Sequence, residues 1–232
     1  MGKSKTKRKQ DQELKRSKKR RAGKLVRFNL ANSPVKYPGE KNKFYYQSNM
    51  CNLIFKGRSF KNVRNMNCTI TSCNFKNSNL LGVDFMHTNL KNTKFNNSVI
   101  KNCVFFNCRL KNTDFSGAKF ENVFFICTAI NEAKGLIEED GWTVERSYPS
   151  LELNSYLQNT IVSLARIRPI YKARVLHVDA TKPNLWIVKI LLKRYNPDIL
   201  SQALKAINNI KDKQRFYTLY SYMNFVDNYK KR

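Results

Sequence analysis

Large apolar residues stand at every fifth position along the middle of this chain. They are Phe55, Phe60, Ile70, Phe75, Leu80, Phe85, Leu90, Phe95, Ile100, Phe105, Leu110, Phe115, Phe120, Phe125 and Ile130, and the one polar member of the series is Asn65. Two positions before each of these centres, from Val63 onward, the residue is small or β-branched: Cys68, Cys73, Ser78, Val83 and so on to Thr128. Two positions after it comes Asn or Gly in most cases, for example Gly57, Asn62, Gly82, Asn92, Asn102 and Gly117. A period of five fits neither the 3.6 of a helix nor the 2.0 of a strand. It does fit a coil whose short sides each carry five residues. Sorted at a period of twenty, one column reads Phe55, Phe75, Phe95, Phe115 and the opposite one Asn65, Phe85, Phe105, Phe125. The other two columns are richer in Leu and Ile. The sorting predicts four sides per turn, with the centre and the small residue pointing inward and Asn or Gly turning each corner, where they tolerate left-handed backbone best. About four coils at the strand spacing of ~4.8 Å make a rod roughly 19 Å long. Numbered from the Phe55 column, the walls are led by Phe55, Phe60, Asn65 and Ile70.

The frame fails at Gly135, and the apolar spacing then becomes helical. Leu151 to Leu164 predicts one helix and "NLWIVKILLKRY" a second. "NPDILSQALKAINNI" predicts a third, with Asn196 as N-cap and Pro197 in the first turn. A fourth follows, with Asp212 as its expected cap and Phe216, Leu219, Tyr220, Met223 and Val226 inward. The expected organisation is a basic disordered tail over 1–27, a linker and N-terminal cap over 28–49, the repeat solenoid over 50–135, a cap or linker over 136–149 and a small α-helical domain over 150–232.

Charge changes the functional picture more than the fold. The 232 residues hold 44 Lys+Arg against 16 Asp+Glu, a net +28. Residues 1–27 alone carry thirteen basic and two acidic side chains with little apolar content. Such a segment cannot offset its chain entropy by burial, and it attracts polyanions. Its candidate contacts are Lys7, Arg8, Lys9, Lys18, Lys19, Arg20 and Arg21. In the outward phases of the second and fourth walls stand Lys61, Lys91, Lys101, Arg109, Lys111 and Lys119, and the first wall adds Lys56, Lys76 and Lys94. The third wall instead presents Met66, Met86, Val104, Phe106, Phe124 and Ile126. Val104, Phe106, Phe124 and Ile126 form an apolar patch that either the C-terminal helices or a second chain must cover.

Catalytic chemistry is poorly supported. Cys68 with Cys73 and Cys103 with Cys108 have a C-x4-C spacing, yet all four occupy the small inward phase, where a thiol acts as a small hydrophobe. His87 falls in a corner phase, and His177 with Asp179 is an isolated His-x-Asp. There is no phosphate-binding glycine loop and no nucleophile elbow. Neither an enzyme nor a metal or cofactor site is expected. No apolar run approaches the ~20 residues of a membrane span, and the charged N-terminus lacks the apolar core of a secretory signal. Met1-Gly2 with Thr6 matches the loose N-myristoylation pattern, as a Lys/Ser/Thr-rich tail does by chance. A cytoplasmic chain with reduced thiols is the expectation.

The five-residue frame from Phe55 to Ile130 closely resembles that of the pentapeptide-repeat family. The resemblance implies a mainly β solenoid, a right-handed quadrilateral β-helix, and a non-enzymatic binding role. The best understood members of that family protect type II topoisomerases and are thought to mimic DNA with an acidic rod. This chain departs there: the position before the centre holds Lys94, Val99, Arg109 and Lys119, and only Asp84 and Asp114 keep the acid. The charge therefore points to nucleic acid or another polyanionic partner. The alternatives are a protein-interaction or homodimerisation scaffold, acting through the apolar third wall and the helical domain, and topoisomerase protection despite the charge.

Overall fold

A computed structural model describes Asp11, Leu14 and residues 37–136 and 141–231. The tail candidates Lys7, Arg8, Lys9, Lys18, Lys19, Arg20 and Arg21 lie outside the described residues. The chain forms a four-sided β-solenoid of about five turns, followed by helices.

Among the described residues, ten short strands make the walls: β1 (Glu40–Tyr46), β2 (Asn49–Cys51), β3 (Ser59–Met66), β4 (Thr69–Thr71), β5 (Asn79–Met86), β6 (Val99–Lys101), β7 (Val104–Phe106), β8 (Lys119–Glu121), β9 (Val123–Ile126) and β10 (Trp142–Glu145). All pair in parallel, and the main sheet runs β1-β3-β5-β7-β9-β10 along the third wall. The register is twenty residues at every step from Glu40↔Phe60 to Val104↔Phe124. It drops to nineteen only where Trp142 pairs with Val123, just past the failure of the frame at Gly135. Strands β1 and β10 carry the sheet beyond both ends of the repeat, which accounts for the turn more than the repeat alone supplies.

Each phase of the repeat has a visible job. The residues two after the centre adopt left-handed φ at corner after corner, from Asn62 (54°) and Asn92 (59°) to Asn122 (55°). Several of these side chains bond from coil to coil, as in Asn62 Nδ2 to Asn42 Oδ1 (2.9 Å) and Asn122 Nδ2 to Asn102 Oδ1 (2.6 Å). The centres stack: ring centroids of Phe85, Phe105 and Phe125 follow at 5.0 and 4.9 Å, nearly parallel. That spacing is the strand repeat itself. The small residues do more than fit. Thr93 Oγ1 donates to the Ile70 carbonyl (2.7 Å), Ser98 Oγ to Phe75 (2.6 Å) and Thr113 Oγ1 to Leu90 (2.9 Å), each reaching the preceding coil. A buried hydroxyl is thus satisfied by a carbonyl that the wall itself supplies.

Beyond β10 stand α1 (Ser155–Leu164), α2 (Arg168–Ala173), α3 (Leu185–Arg194), α4 (Pro197–Ala206) and α5 (Leu219–Tyr229). Asn196 caps α4 by accepting from Asp198 N–H (2.8 Å), with Pro197 following it. The cap expected at Asp212 is displaced. Thr218 caps α5 in a reciprocal box with Ser221, while Asp212 pairs with Arg215 in the preceding loop. The helix therefore starts six residues later than expected, where Thr218 Oγ1 donates to Asn62 and the Leu219 N–H to Asp84 on the third-wall side of the rod.

Two apolar cores result. One fills the rod from Leu53 to Phe125. The other joins the helices to the outer face of the third wall, and it contains Val104, Phe124 and Ile126 together with Leu157, Ile161, Trp186, Leu191 and Tyr222. Phe106 packs at its edge.

Candidate functional site

The helices cover the third wall in two different ways. Over its last coils the contact is apolar, through Val104, Phe124 and Ile126. Over its earlier coils it is polar. Arg64 and Asp84 point outward one coil apart and form an ion pair at 3.2 Å, only 4% and 1% exposed. Asp84 also accepts from the Leu219 N–H at the start of α5 (2.9 Å). Arg64 donates to the Arg174 carbonyl (3.2 Å). At the neighbouring corner Asn62 donates to the Arg215 carbonyl (2.8 Å) and accepts from Thr218 Oγ1 (2.8 Å). Burial drives both charged groups toward neutrality: it raises the Asp84 carboxyl to about 6 against the pull of Arg64, and it lowers Arg64. A desolvated pair like this orients two bodies more than it stabilises them.

With the third wall occupied, the faces of the rod that the helices leave uncovered, among the described residues, are the first and fourth walls and the outer part of the second. The basic candidates do not form one group. Lys61 and Lys101 stand on the second wall and Lys91, Arg109 and Lys111 on the fourth, which are opposite sides of a four-sided rod. Lys61 lies over the Tyr220 ring (5.9 Å), and Lys101 pairs with Glu121 (2.5 Å). Both are partly engaged within the chain.

The first and fourth walls share a corner, and their cations run across it. Lys91, Lys94, Arg109, Lys111 and Lys134 are exposed. The local chemistry there is informative. At the position before the centre, Asn74 and Asn89 accept the N–H of Lys76 (3.0 Å) and Lys91 (3.1 Å), closing a small turn. Asp114 does the same for Ser116 (3.0 Å). Lys94 and Arg109 occupy equivalent positions, bridged to Asn74 and Asn89 respectively, and a cation cannot accept that bond. These two residues therefore forgo a local stabilisation and place charge on the surface instead. Asp114 is the acid among them. Burial would raise its carboxyl, but hydrogen bonds from Asn96 and Ser116 and the charge of Lys76 hold it below the usual range.

The remaining candidates are structural. His177 is buried, and its Nε2 donates to the Ile161 carbonyl (2.8 Å). Asp179 Oδ1 accepts from Thr181 and Lys182 within its own loop. His87 turns a corner at φ 49° and bonds Asn107 (2.8 Å). The thiols of Cys103 and Cys108 approach the Lys101 and Phe85 carbonyls (3.2 and 3.3 Å). Burial pushes Cys73 and Cys108 up to about 12. Arg64 went unremarked in the sequence because a lone Arg on an outward phase looks like any other surface cation. Lys134 was missed because it lies past the last regular centre. No helix among the described residues is long and apolar enough to cross a membrane.

Residues 66–134 match the family description "pentapeptide repeats" in overlapping segments, 66–102, 84–122 and 98–134, with eight copies. Comparison with curated proteins gave no match. Among solved structures, a trypsin-treated form of QnrB1, a plasmid-mediated fluoroquinolone resistance protein, aligns at 17% identity over 39% of this chain and 56% of its own, with a TM-score of 0.30. A pentapeptide repeat protein from the Arabidopsis thaliana thylakoid lumen aligns at 14% identity over 65% of this chain and 91% of its own, with a TM-score of 0.29. HetL from Nostoc, a pentapeptide repeat protein involved in heterocyst differentiation regulation, aligns at 9% identity over 45% of this chain and 54% of its own, with a TM-score of 0.26.

Proposed function

This chain belongs to the pentapeptide-repeat family, and from that premise we propose that it is a non-enzymatic binding protein whose partner is a polyanion, with nucleic acid the leading class. The carrying observation is the exposed cationic face of the first and fourth walls. Lys94 and Arg109 there stand at the position where Asn74, Asn89 and Asp114 close a local turn, and they present charge instead. Lys91 and Lys111 lie one coil apart, ~5 Å at the strand spacing, where like charges favour a bound counter-charge. The basic tail adds charge of the same sign. A scaffold role through the apolar third wall is the weaker reading, since the chain's own helices occupy that wall. The DNA-mimic form of topoisomerase protection needs a rod of the opposite charge.

Retention of the full chain on immobilised heparin and on nucleic acid, measured across a salt gradient, tests the reading. Affinity should fall steeply with salt, because each neutralised phosphate releases counterions. Substituting Lys91, Arg109 and Lys111 with Gln should lower the log–log slope by about three, roughly one per contact. An unchanged slope in that variant, or no retention at all, would refute it.

A further inference from the structure

The corner between the fourth and first walls has a profile that a general cationic patch lacks. Its crest is uncharged through the middle coils, Ser72, Asn92 and Asn112, with Asn112 Nδ2 donating to Asn92 Oδ1 (3.3 Å), and ends in the exposed acid Glu132. On the fourth-wall flank, one residue before the crest, stand Lys91 and Lys111. On the first-wall flank, two residues after it, stand Lys94 and Lys134, one on each side of Asp114 in the same column. All four lysines are exposed and none has an ion pair among the described residues. The result is a straight polar ridge with two lysines along each side, adjacent on the fourth-wall flank and separated by Asp114 on the first-wall flank.

A single extended strand offers one row of phosphates, and proteins that bind it without sequence preference add aromatic side chains on which bases stack. The outward positions of these two walls from Asn49 to Lys134 carry no Phe, Tyr or Trp. A duplex offers two phosphate rows with a groove between them. The B-form major groove, about 12 Å wide, admits an element as broad as a two-stranded β-ribbon, whereas the A-form major groove is too deep and narrow to enter. Amides such as those of Asn92 and Asn112 are suited to base edges, which carry both donors and acceptors. The stacked register also keeps the ridge straight, so it can follow a stiff duplex over four coils, ~19 Å, alongside about five or six base pairs at 3.4 Å each.

We propose that this ridge seats in the major groove of duplex DNA, with Lys91 and Lys111 reaching one phosphate backbone and Lys94 and Lys134 the other. The proposal rests on the polyanion reading and narrows it to one ligand. Binding of the full chain to a DNA duplex of about 20 base pairs, to oligo-dT of the same length and to an RNA duplex of the same sequence tests it, near physiological salt where non-specific contacts weaken. The wild type should prefer duplex DNA to oligo-dT by about tenfold or more, as several added phosphate contacts require. The pair Lys91→Gln with Lys111→Gln, and separately Lys94→Gln with Lys134→Gln, should each bring that preference close to parity. A charge-matched control, Lys172→Gln with Lys182→Gln, should keep it. Equal or tighter binding of oligo-dT or of RNA duplex by the wild type overturns the duplex-DNA proposal and leaves the polyanion reading standing. So does a preference that survives in both ridge variants. Absence of binding to all three nucleic acids and to heparin overturns both.

Discussion

Asp84, on the outside of the solenoid, accepts a hydrogen bond from the backbone N–H of Leu219, the first residue of the last helix, at 2.9 Å. The same carboxylate pairs with Arg64. One wall side chain thus ties a neighbouring coil and a distant helix terminus, where a negative charge is favoured.

Breaking that pair one partner at a time should be costly and breaking it from both sides much less so. Arg64→Met or Asp84→Leu alone leaves a buried charge unpaired, at a cost of about 3–5 kcal/mol. The double variant should cost far less than the sum of the two. Denaturant unfolding of the four proteins gives the coupling directly, and additive losses would show that the pair is not energetically linked.

The pair also predicts a pH dependence with a definite sign. An unfolded aspartate titrates near 3.9, roughly, and burial raises Asp84 to about 6. Between those values the folded protein holds a proton that the unfolded chain has released. The contribution of this group is therefore full below about pH 4 and is lost as pH rises through about 6. Asp114 and Glu145, held low by their partners, act in the opposite sense. Comparison with Asp84→Asn isolates the effect: the variant should gain on the wild type between about pH 4 and pH 7. A difference in unfolding midpoint that stays constant over this range would count against the raised carboxyl.

The interior of the rod is not uniformly filled. A cavity of about 230 Å³ opens at its N-terminal end, lined by Phe55, Phe60, Asn65 and Phe75 among others. Phe105 is fully buried at mid-rod between Phe85 and Phe125. Phe105→Ala should cost about 3–5 kcal/mol. Phe55→Ala, at the edge of existing empty space, should cost distinctly less. Equal losses in chemical denaturation would mean that the end coils are as tightly coupled as the middle.

Gly82→Ala probes the seating of the last helix. The corner has φ 63°, and an added Cβ would lie 2.3 Å from the Tyr220 Cβ. Overpacking of this kind costs about 1–3 kcal/mol. Hydrogen exchange should quicken in α5 while amides of the coils around Phe105 stay protected. Uniform loss of protection would place the defect in the solenoid instead.

Thiol reactivity should separate the cysteines by phase. Cys127 is exposed and Cys51 half-buried, whereas Cys68, Cys73, Cys103 and Cys108 are buried. A thiolate-specific reagent should label Cys127 first and the four inward thiols only on unfolding, since reactivity follows thiolate fraction and access. Rapid labelling of Cys103 or Cys108 in the native protein would contradict their place in the core.

The rod was legible residue by residue. Phe105 reads as inward, Asn102 as a corner and Cys103 as packing because each role is set by position within a five-residue unit that its neighbours repeat. The helix begun at Asn196 was legible for the same reason, as cap, proline and apolar face lie within one local segment. The start of α5 was not. Asp212 and Thr218 are both good caps, and the choice between them goes with the bonds that Thr218 and Leu219 make to Asn62 and Asp84, far away in the chain. Arg64 and Asp84 were equally opaque. They occupy the outward phase like Lys94 and Arg109, and nothing local distinguishes a charge to be covered from one left in water.

The sequence alone determined the four-sided coil, its inward phenylalanines and its Asn and Gly corners, because a period of twenty is a covalent property that every coil states again. It also determined the excess of positive charge. Only the tertiary structure decided which outward letters remain available. The helices fold back over the third wall, where they bury Val104, Phe124 and Ile126 and desolvate Arg64 with Asp84. Lys61 is drawn over the Tyr220 ring and Lys101 to Glu121. The physical reason is that what an outward side chain faces depends on what docks against it from elsewhere in the chain, whereas what an inward one faces is the next copy of itself.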